Sequence, residues 1–399
     1  MSHHRRAHVR TATSLFAGLG LQVGLWAVLV PELVASRSLS PGELGVLLGV
    51  LAGTSILSLS LAGTVIDRVG RRPLACLGAA GMGVALLLLA LVEARWALLP
   101  TIVLYGLANG LLDLSANTVG ADVEREHRIR VMIRLHAGFS GAAAAAALAT
   151  GAALAAGASA GALYACGAVA LLALAVLAAA GPLPAHVGDG GPVGVAIGDE
   201  RELAHVADAP AEPGRRPRGS LLRAPGVLVA VTLITLCFFG DGAIEGYVAL
   251  YLRDLLGAGA LLTGVGLALF HGASLAGRLA SSAALGRLGE RNLITLAGAG
   301  AAAGMLVIVL ARSPGPAAAG LLLVGISLSP VVPTALSVAG RSDPARAGAA
   351  VSLVTAVGYG AFVLGPPFTG ALADATSLRT ALVPVIVSTA LLALTARRL

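Results

Sequence analysis

Apolar runs of about 20 residues, separated by short polar breaks, follow one another from end to end of this 399-residue chain. No other feature restricts its fold as much. A run of that length crosses a ~30 Å hydrocarbon layer as an α-helix. Inside a bilayer a helix also satisfies its own backbone groups, which an open strand cannot do. The alternating segments of about ten residues that a transmembrane barrel requires are not seen. Composition agrees: 57% of residues are hydrophobic and only 12% are charged, with a mean hydropathy of +0.89. Soluble chains carry roughly 25% charged residues, so this chain has too few to cover a water-facing surface. The expected fold class is an all-α membrane protein with twelve transmembrane helices.

The spans are predicted near 12–35, 43–66, 74–93, 97–119, 135–157 and 160–181, and then near 226–251, 260–284, 293–311, 316–339, 348–371 and 379–396. The first apolar run is too long for the h-region of a signal peptide, and a second span follows closely, so it reads as a span. All 27 basic residues are Arg. With the N-terminus inside, 21 fall in inner segments and five in outer breaks, while Arg278 lies within the eighth span. The positive-inside rule then puts both termini in the cytoplasm of a multi-pass protein of the cytoplasmic (inner) membrane. The net charge of +7 and pI near 10.1 are spread over these breaks rather than gathered in one patch, which argues against a nucleic-acid partner.

Residues 183–224 form the only long polar insertion, rich in Gly, Pro and charge, and read as a flexible cytoplasmic linker. The linker divides the chain into two six-span bundles, 1–182 and 225–399. Two such halves suggest a pseudo-symmetric transporter with its substrate site near the midplane between them.

Several polar residues interrupt the spans. Asn109, Asp113 and Asn117 in "NGLLDLSAN" stand at i, i+4 and i+8 and share one helix face. A charge in the membrane is costly unless it meets water or a partner, so this row marks a cavity wall or an interhelical seam. Gln22 and Trp26, one turn apart in span one, either line the same cavity or pack. Asp241 and Glu245 are i, i+4 on span seven, and two carboxylates one turn apart repel when both are ionised. That is the electrostatic basis for reading Asp113, Asp241 and Glu245 as carriers of a coupling proton or binders of a cation, with His271 in span eight as a further candidate. Glu32 reads as solvated at the outer end, His136 as a loop or headgroup contact, and Gly365–Pro367 as a break in span eleven. These acids have no matching Arg in the sequence reading, which favours neutral or cationic solutes over anions.

The loop after span two, "GTVIDRVGRRP", combines a charged inner loop with a specific spacing. Gly63 permits close helix approach. Asp67 is an acid at a helix end, beside Arg68. Gly70 permits a sharp turn before Arg71 and Arg72. This loop resembles the signature of the major facilitator superfamily, where it stabilises one of the alternating conformations. The second half repeats it as "GRLASSAALGRLGERN", keeping Gly277, Arg287 and Gly289 but lacking the acid. "NGLLDLSAN", "LHAGFS", "ALYLRD" and "GYGAFVLGPPFTGALADATSLR" are similar to the YbjJ-like bacterial inner-membrane branch of that superfamily. The chain departs from that branch at Leu29, Pro330 and Gly246-Tyr247, so no substrate is carried over.

The resemblance implies a secondary transporter of a small molecule, working by alternating access in the lipid bilayer as a monomer and coupled to protons, with efflux favoured over sugar-like uptake by symport. A transport-inactive sensor or scaffold is the alternative of another class. G-x-S-x-G, H-E-x-x-H, the Walker loop and paired cysteines are all missing from the sequence, so neither an enzyme nor a cofactor or metal is expected.

Overall fold

The computed structural model describes residues 3–184, 221, 224–342 and 346–399. Most of the 183–224 linker therefore lies outside the described residues. Within them the chain is helical, and twelve helices are long and apolar enough to cross a membrane. The first half holds α1 (His3–Arg37), α2 (Pro41–Gly63), α3 (Arg71–Leu91), α4 (Leu98–His127), α5 (Met132–Ala155) and α6 (Ala160–Ala180). In the second half α7 (Pro225–Leu250) runs on through a π turn, Tyr251–Leu255. A 51-residue helical stretch, Ala260–Leu310, follows and bends at Gly289; its limbs 260–288 and 290–310 are α8 and α9. The last three are α10 (Pro314–Ser342), α11 (Ala347–Ala375) and α12 (Leu378–Arg398).

Local sequence sets the helix ends. Ser40 caps α2 by accepting from the Glu43 amide, and Glu43 accepts from the Ser40 amide in return, a capping box followed by Pro41 at the first turn. Gly70 and Gly289 occupy equivalent places before α3 and α9, with φ 92°, ψ 159° and φ 72°, ψ 163°. Glycine is the residue that adopts this region without a Cβ penalty, so the two halves share one backbone device at one junction.

Packing repeats as well. Within the first half α1 lies on α5, α2 on α4 and α3 on α6; within the second, α7 lies on α11, α8 on α10 and α9 on α12. Each half buries its own apolar core, one built around Phe16, Met82 and Tyr105 and the other around Ile234, Tyr251 and Met305. The halves meet through α2 with α11, α5 with α8 and α1 with α7. The first two contacts are exchanged by the pseudo-two-fold relation between the halves.

One expectation changes here. Gly365–Pro367 does not break α11, which runs unbroken through both prolines. Pro366 and Pro367 have no N–H to give to the carbonyls of Phe362 and Val363, and those carbonyls face Gly242 of α7 and Gly49 of α2, which leave them room. The spans that are interrupted are α10, where Ser329 and Pro330 form a turn between Pro314–Leu328 and Val331–Ser342, and α12, where Leu382 separates Leu378–Ala381 from Val383–Thr395.

Candidate functional site: a cavity between the two halves

A cavity of about 480 Å³ opens between the halves. Its wall comes from the start of α5 (Met132 to Ser140), the middle of α7, the second part of α8 and the interrupted region of α10. Glu290 and Leu293 at the α8–α9 bend stand at its mouth. The cavity therefore opens on the side that carries the two termini and most of the arginines.

The opposite side is closed by contacts between the halves. Tyr247 of α7 shares its hydroxyl proton between the carbonyls of Pro41 on α2 (2.6 Å) and Pro366 on α11 (3.1 Å). Ser40 donates to Asp374 at 2.8 Å, and Arg253 pairs with Glu32 at 2.6 Å. Glu32, read from the sequence as solvated, is thus half of an ion pair across the two halves. Deeper in, α5 and α8 touch backbone to backbone: a Cβ on Gly264 would sit 2.5 Å from the Ala147 carbonyl oxygen, and one on Gly151 2.6 Å from that of Ala260. Small residues are what permit this approach.

Asp241, Glu245, His271 and Arg278 line the cavity together. Glu245 is exposed into it rather than placed at the outer water interface, and His271 is 6% exposed. Cys237, one turn before Asp241, donates a thiol hydrogen bond to it at 3.7 Å. Arg278 shares that wall with Asp241, Glu245 and His271. The acids therefore do have an arginine beside them, and the sequence argument against anionic groups on the solute does not stand. The signal was available: an ionisable residue inside an apolar span is a functional candidate by default, and Arg278 is the one Arg within a span. His136 is corrected too. It lines the cavity and packs edge-on against Phe16 at 4.9 Å, because α5 begins at the cavity mouth.

The row on α4 is placed differently. Tyr105 donates to Gln22, Gln22 donates to Asn109 at 3.4 Å, and Asn109 donates to Ser55 at 2.9 Å. Trp26 stacks on Tyr105 with ring centroids 5.4 Å apart. Gln22, Trp26 and Asn109 thus join α1, α2 and α4 in one seam, outside the residues that line the cavity. Asn117 donates at 3.0 Å to the carboxylate of Asp113, and its own oxygen is buried with no partner among the described residues. Asp113 and Asn117 are outside the residues that line the cavity, as is Tyr359 of α11, which stacks at 5.7 Å on Phe238 in its wall.

The loop between α2 and α3 forms a charge network on the open side. A short helical turn, Ile66–Val69, carries Asp67 and Arg68. Arg71 bonds Asp67 at 2.9 Å and Asp122 of α4 at 2.9 Å, and Asp122 also accepts from Arg125 at 2.6 Å. Arg72 donates to the last carbonyls of α6, including that of Gly181 at 2.9 Å. Gly63, at the end of α2, has open space around it, so the close helix approach expected of it from the sequence is not made. Asp122, only 2% exposed, was not singled out from the sequence because the predicted fourth span stops at residue 119. In the second half Glu290, directly after Gly289, pairs with Arg341 of α10. The same junction thus carries the ion pair with its charges exchanged: cation then anion in the first half, anion then cation in the second.

Comparison with known proteins agrees with this architecture. A membrane protein, MosC, of Rhizobium meliloti is 28% identical over 92% of this chain and 84% of that protein. An uncharacterized MFS-type transporter of Yersinia pestis is 28% identical over 94% of this chain and 90% of its own length. Among solved structures, a bacterial homolog of the human lysosomal transporter Spinster, inward-facing and occupied, superposes with a TM-score of 0.76 at 14% identity, over 100% of this chain and 97% of that one. The nucleoside transporter NupG gives 0.74 at 11% identity, over 99% and 98%. At such identities the likeness is one of fold. None of these similarities singles out the YbjJ-like branch. The family model of the Major Facilitator Superfamily matches residues 11–366. With twelve spans in two matching halves around one cavity, the chain belongs to the Major Facilitator Superfamily and is a membrane transporter of the alternating-access type.

Proposed function

We propose that this transporter exports a small organic solute across the cytoplasmic membrane in exchange for protons, acting as a monomer with both termini in the cytoplasm. The observation that carries the reading is the placement of Asp241 and Glu245 in the wall of a cavity open at one end only. With the arginine-rich end inside, the described conformation is inward-facing. Two carboxylates one turn apart do not both ionise readily in a low-dielectric wall, so a proton and a solute cation compete for them. Arg278 adds a cation to the same wall, and the mixed lining of acids, Arg278 and His271 fits a solute that carries a positive group beside polar or acidic ones. Phe238 and Phe270 supply the apolar part of the surface. Gly63, Asp67, Arg68, Gly70, Arg71 and Arg72 act as the conformational gate, through the Arg71–Asp122 pair.

The test is a thermal-stabilisation screen of the purified protein with organic cations, zwitterions and sugars, followed by flux of the hits in proteoliposomes. Solute movement should follow an imposed pH gradient and collapse with a protonophore. Asp241→Asn and Asp113→Asn should each abolish gradient-driven flux while solute exchange persists. Gradient-driven accumulation at the wild-type level in both variants would move proton coupling to His271. Binding without any flux would make the protein a sensor instead.

A further inference from the structure

Away from the cavity, three side chains from two helices converge at the arginine-rich end of the first half. His8 comes from the first turns of α1, and Glu126 and His127 from the last turn of α4. His8 Nδ1 lies 3.1 Å from His127 Nε2 and 3.5 Å from Glu126 Oε1, and His127 Nε2 lies 3.7 Å from the same oxygen. The side chains are only 10%, 13% and 28% exposed for His8, His127 and Glu126. In a tetrahedral zinc site with ligand bonds of 2.0–2.2 Å, adjacent ligand atoms stand roughly 3.3–3.6 Å apart. The three observed separations bracket that range. An ion at the centre of such a triangle would take the place of the hydrogen bond between the two imidazoles.

We propose that His8, Glu126 and His127 form a Zn²⁺ site that fastens the start of the first span to the end of the fourth. The donor set supports that ion. Two imidazole nitrogens and one carboxylate oxygen suit late first-row divalent metals, and exclude the all-oxygen sites of Mg²⁺ and Ca²⁺. Three protein ligands leave a fourth position for solvent, and His4 lies one helical turn before His8 on the same face of α1. Arg125, the basic neighbour of Glu126 in the chain, is held by Asp122 at 2.6 Å. No residue of this cluster lines the cavity. Both helices belong to the same half, so the ion tightens the bundle and leaves the rocking of one half against the other untouched.

The experiment uses full-length protein purified through a tag without histidine and stripped with a chelator. Zn²⁺ is titrated against a chromophoric chelator, and Co²⁺ is used in parallel as a spectroscopic substitute. One Zn²⁺ should bind per chain, and Co²⁺ should give the intense visible bands of a four-coordinate ion. His8→Ala and His127→Ala should each weaken binding by at least about 100-fold, since losing a ligand costs more than losing the 10–100-fold contributed by its supporting partners. Glu126→Gln keeps the shape of the site and should also weaken binding, which separates ligation from misfolding. Each variant is first shown to elute and unfold as the wild type does. Sub-stoichiometric binding to the wild type would overturn the proposal. So would affinity that persists in the His8→Ala, His127→Ala double variant, and either result would leave the cluster a hydrogen-bonded pair of imidazoles beside a carboxylate.

Discussion

Among single residues, Asp122 carries the greatest structural consequence. Its carboxylate is 2% exposed and holds two guanidinium groups, one of which, that of Arg71, is itself 8% exposed. Removing one member of a buried pair costs up to about 3–5 kcal/mol when the other charge is stranded; here Arg71 keeps Asp67 at 2.9 Å, so the loss falls below that limit. The exchanged pair of the second half is far more accessible, with Arg341 and Glu290 side chains 44% and 31% exposed. Exposed pairs contribute at most about 1 kcal/mol. Asp122→Asn should therefore lower the unfolding temperature in detergent by several degrees, whereas Glu290→Gln should leave it nearly unchanged. Equal shifts would mean that the two pairs experience the same dielectric, against the burial difference. Asp122 was hidden in the sequence because "ADVEREHR" reads as a charged inner loop. Its burial follows only from α4 continuing to His127 and from Arg71 arriving beside it.

Pairs of helices decide which end of the cavity is shut. The α5–α8 contact depends on Gly151 and Gly264, and the α2–α7–α11 contact on one shared hydroxyl proton of Tyr247. Gly264→Val places two methyl groups where backbone now lies and should prevent this closure outright. Tyr247→Phe is milder. It removes a hydrogen bond of about 1 kcal/mol, roughly a fivefold change in the balance between conformations. Spin labels on Glu93→Cys and Arg312→Cys, exposed positions at the closed end of opposite halves, report that balance. The mean separation should increase in both variants, more in Gly264→Val. Unchanged distances would show that the closed end is held by other contacts, with the Arg253–Glu32 pair the first to examine. The glycines themselves were visible in the sequence, but their partners were not, since α5 and α8 are separated by the linker and two further spans.

For the whole molecule, orientation is the property on which the functional reading rests. If the arginine-rich end is cytoplasmic, Thr64→Cys, exposed between α2 and α3, should resist a membrane-impermeant thiol reagent in intact cells and react after lysis. Glu93→Cys, exposed at the other end, should react in intact cells. The reverse pattern would invert the transporter and make the described conformation outward-facing. The number of spans and the signature loop were legible in the sequence, because helix length and glycine spacing act locally, within one or two turns. The site was only partly legible. Periodicity put Asp241 and Glu245 on one face of α7, and Asn109, Asp113 and Asn117 on one face of α4, but a face has no identity until another helix covers it. Only the packing of the helices set Asn109 against Gln22 and Ser55, brought Arg278 into one cavity wall with the acids of α7, and brought His8 to Glu126 and His127 across more than a hundred residues of chain. A helix specifies its own faces through its repeat; which of them meets lipid, a neighbouring helix or the aqueous cavity is decided by surfaces that lie far away in sequence.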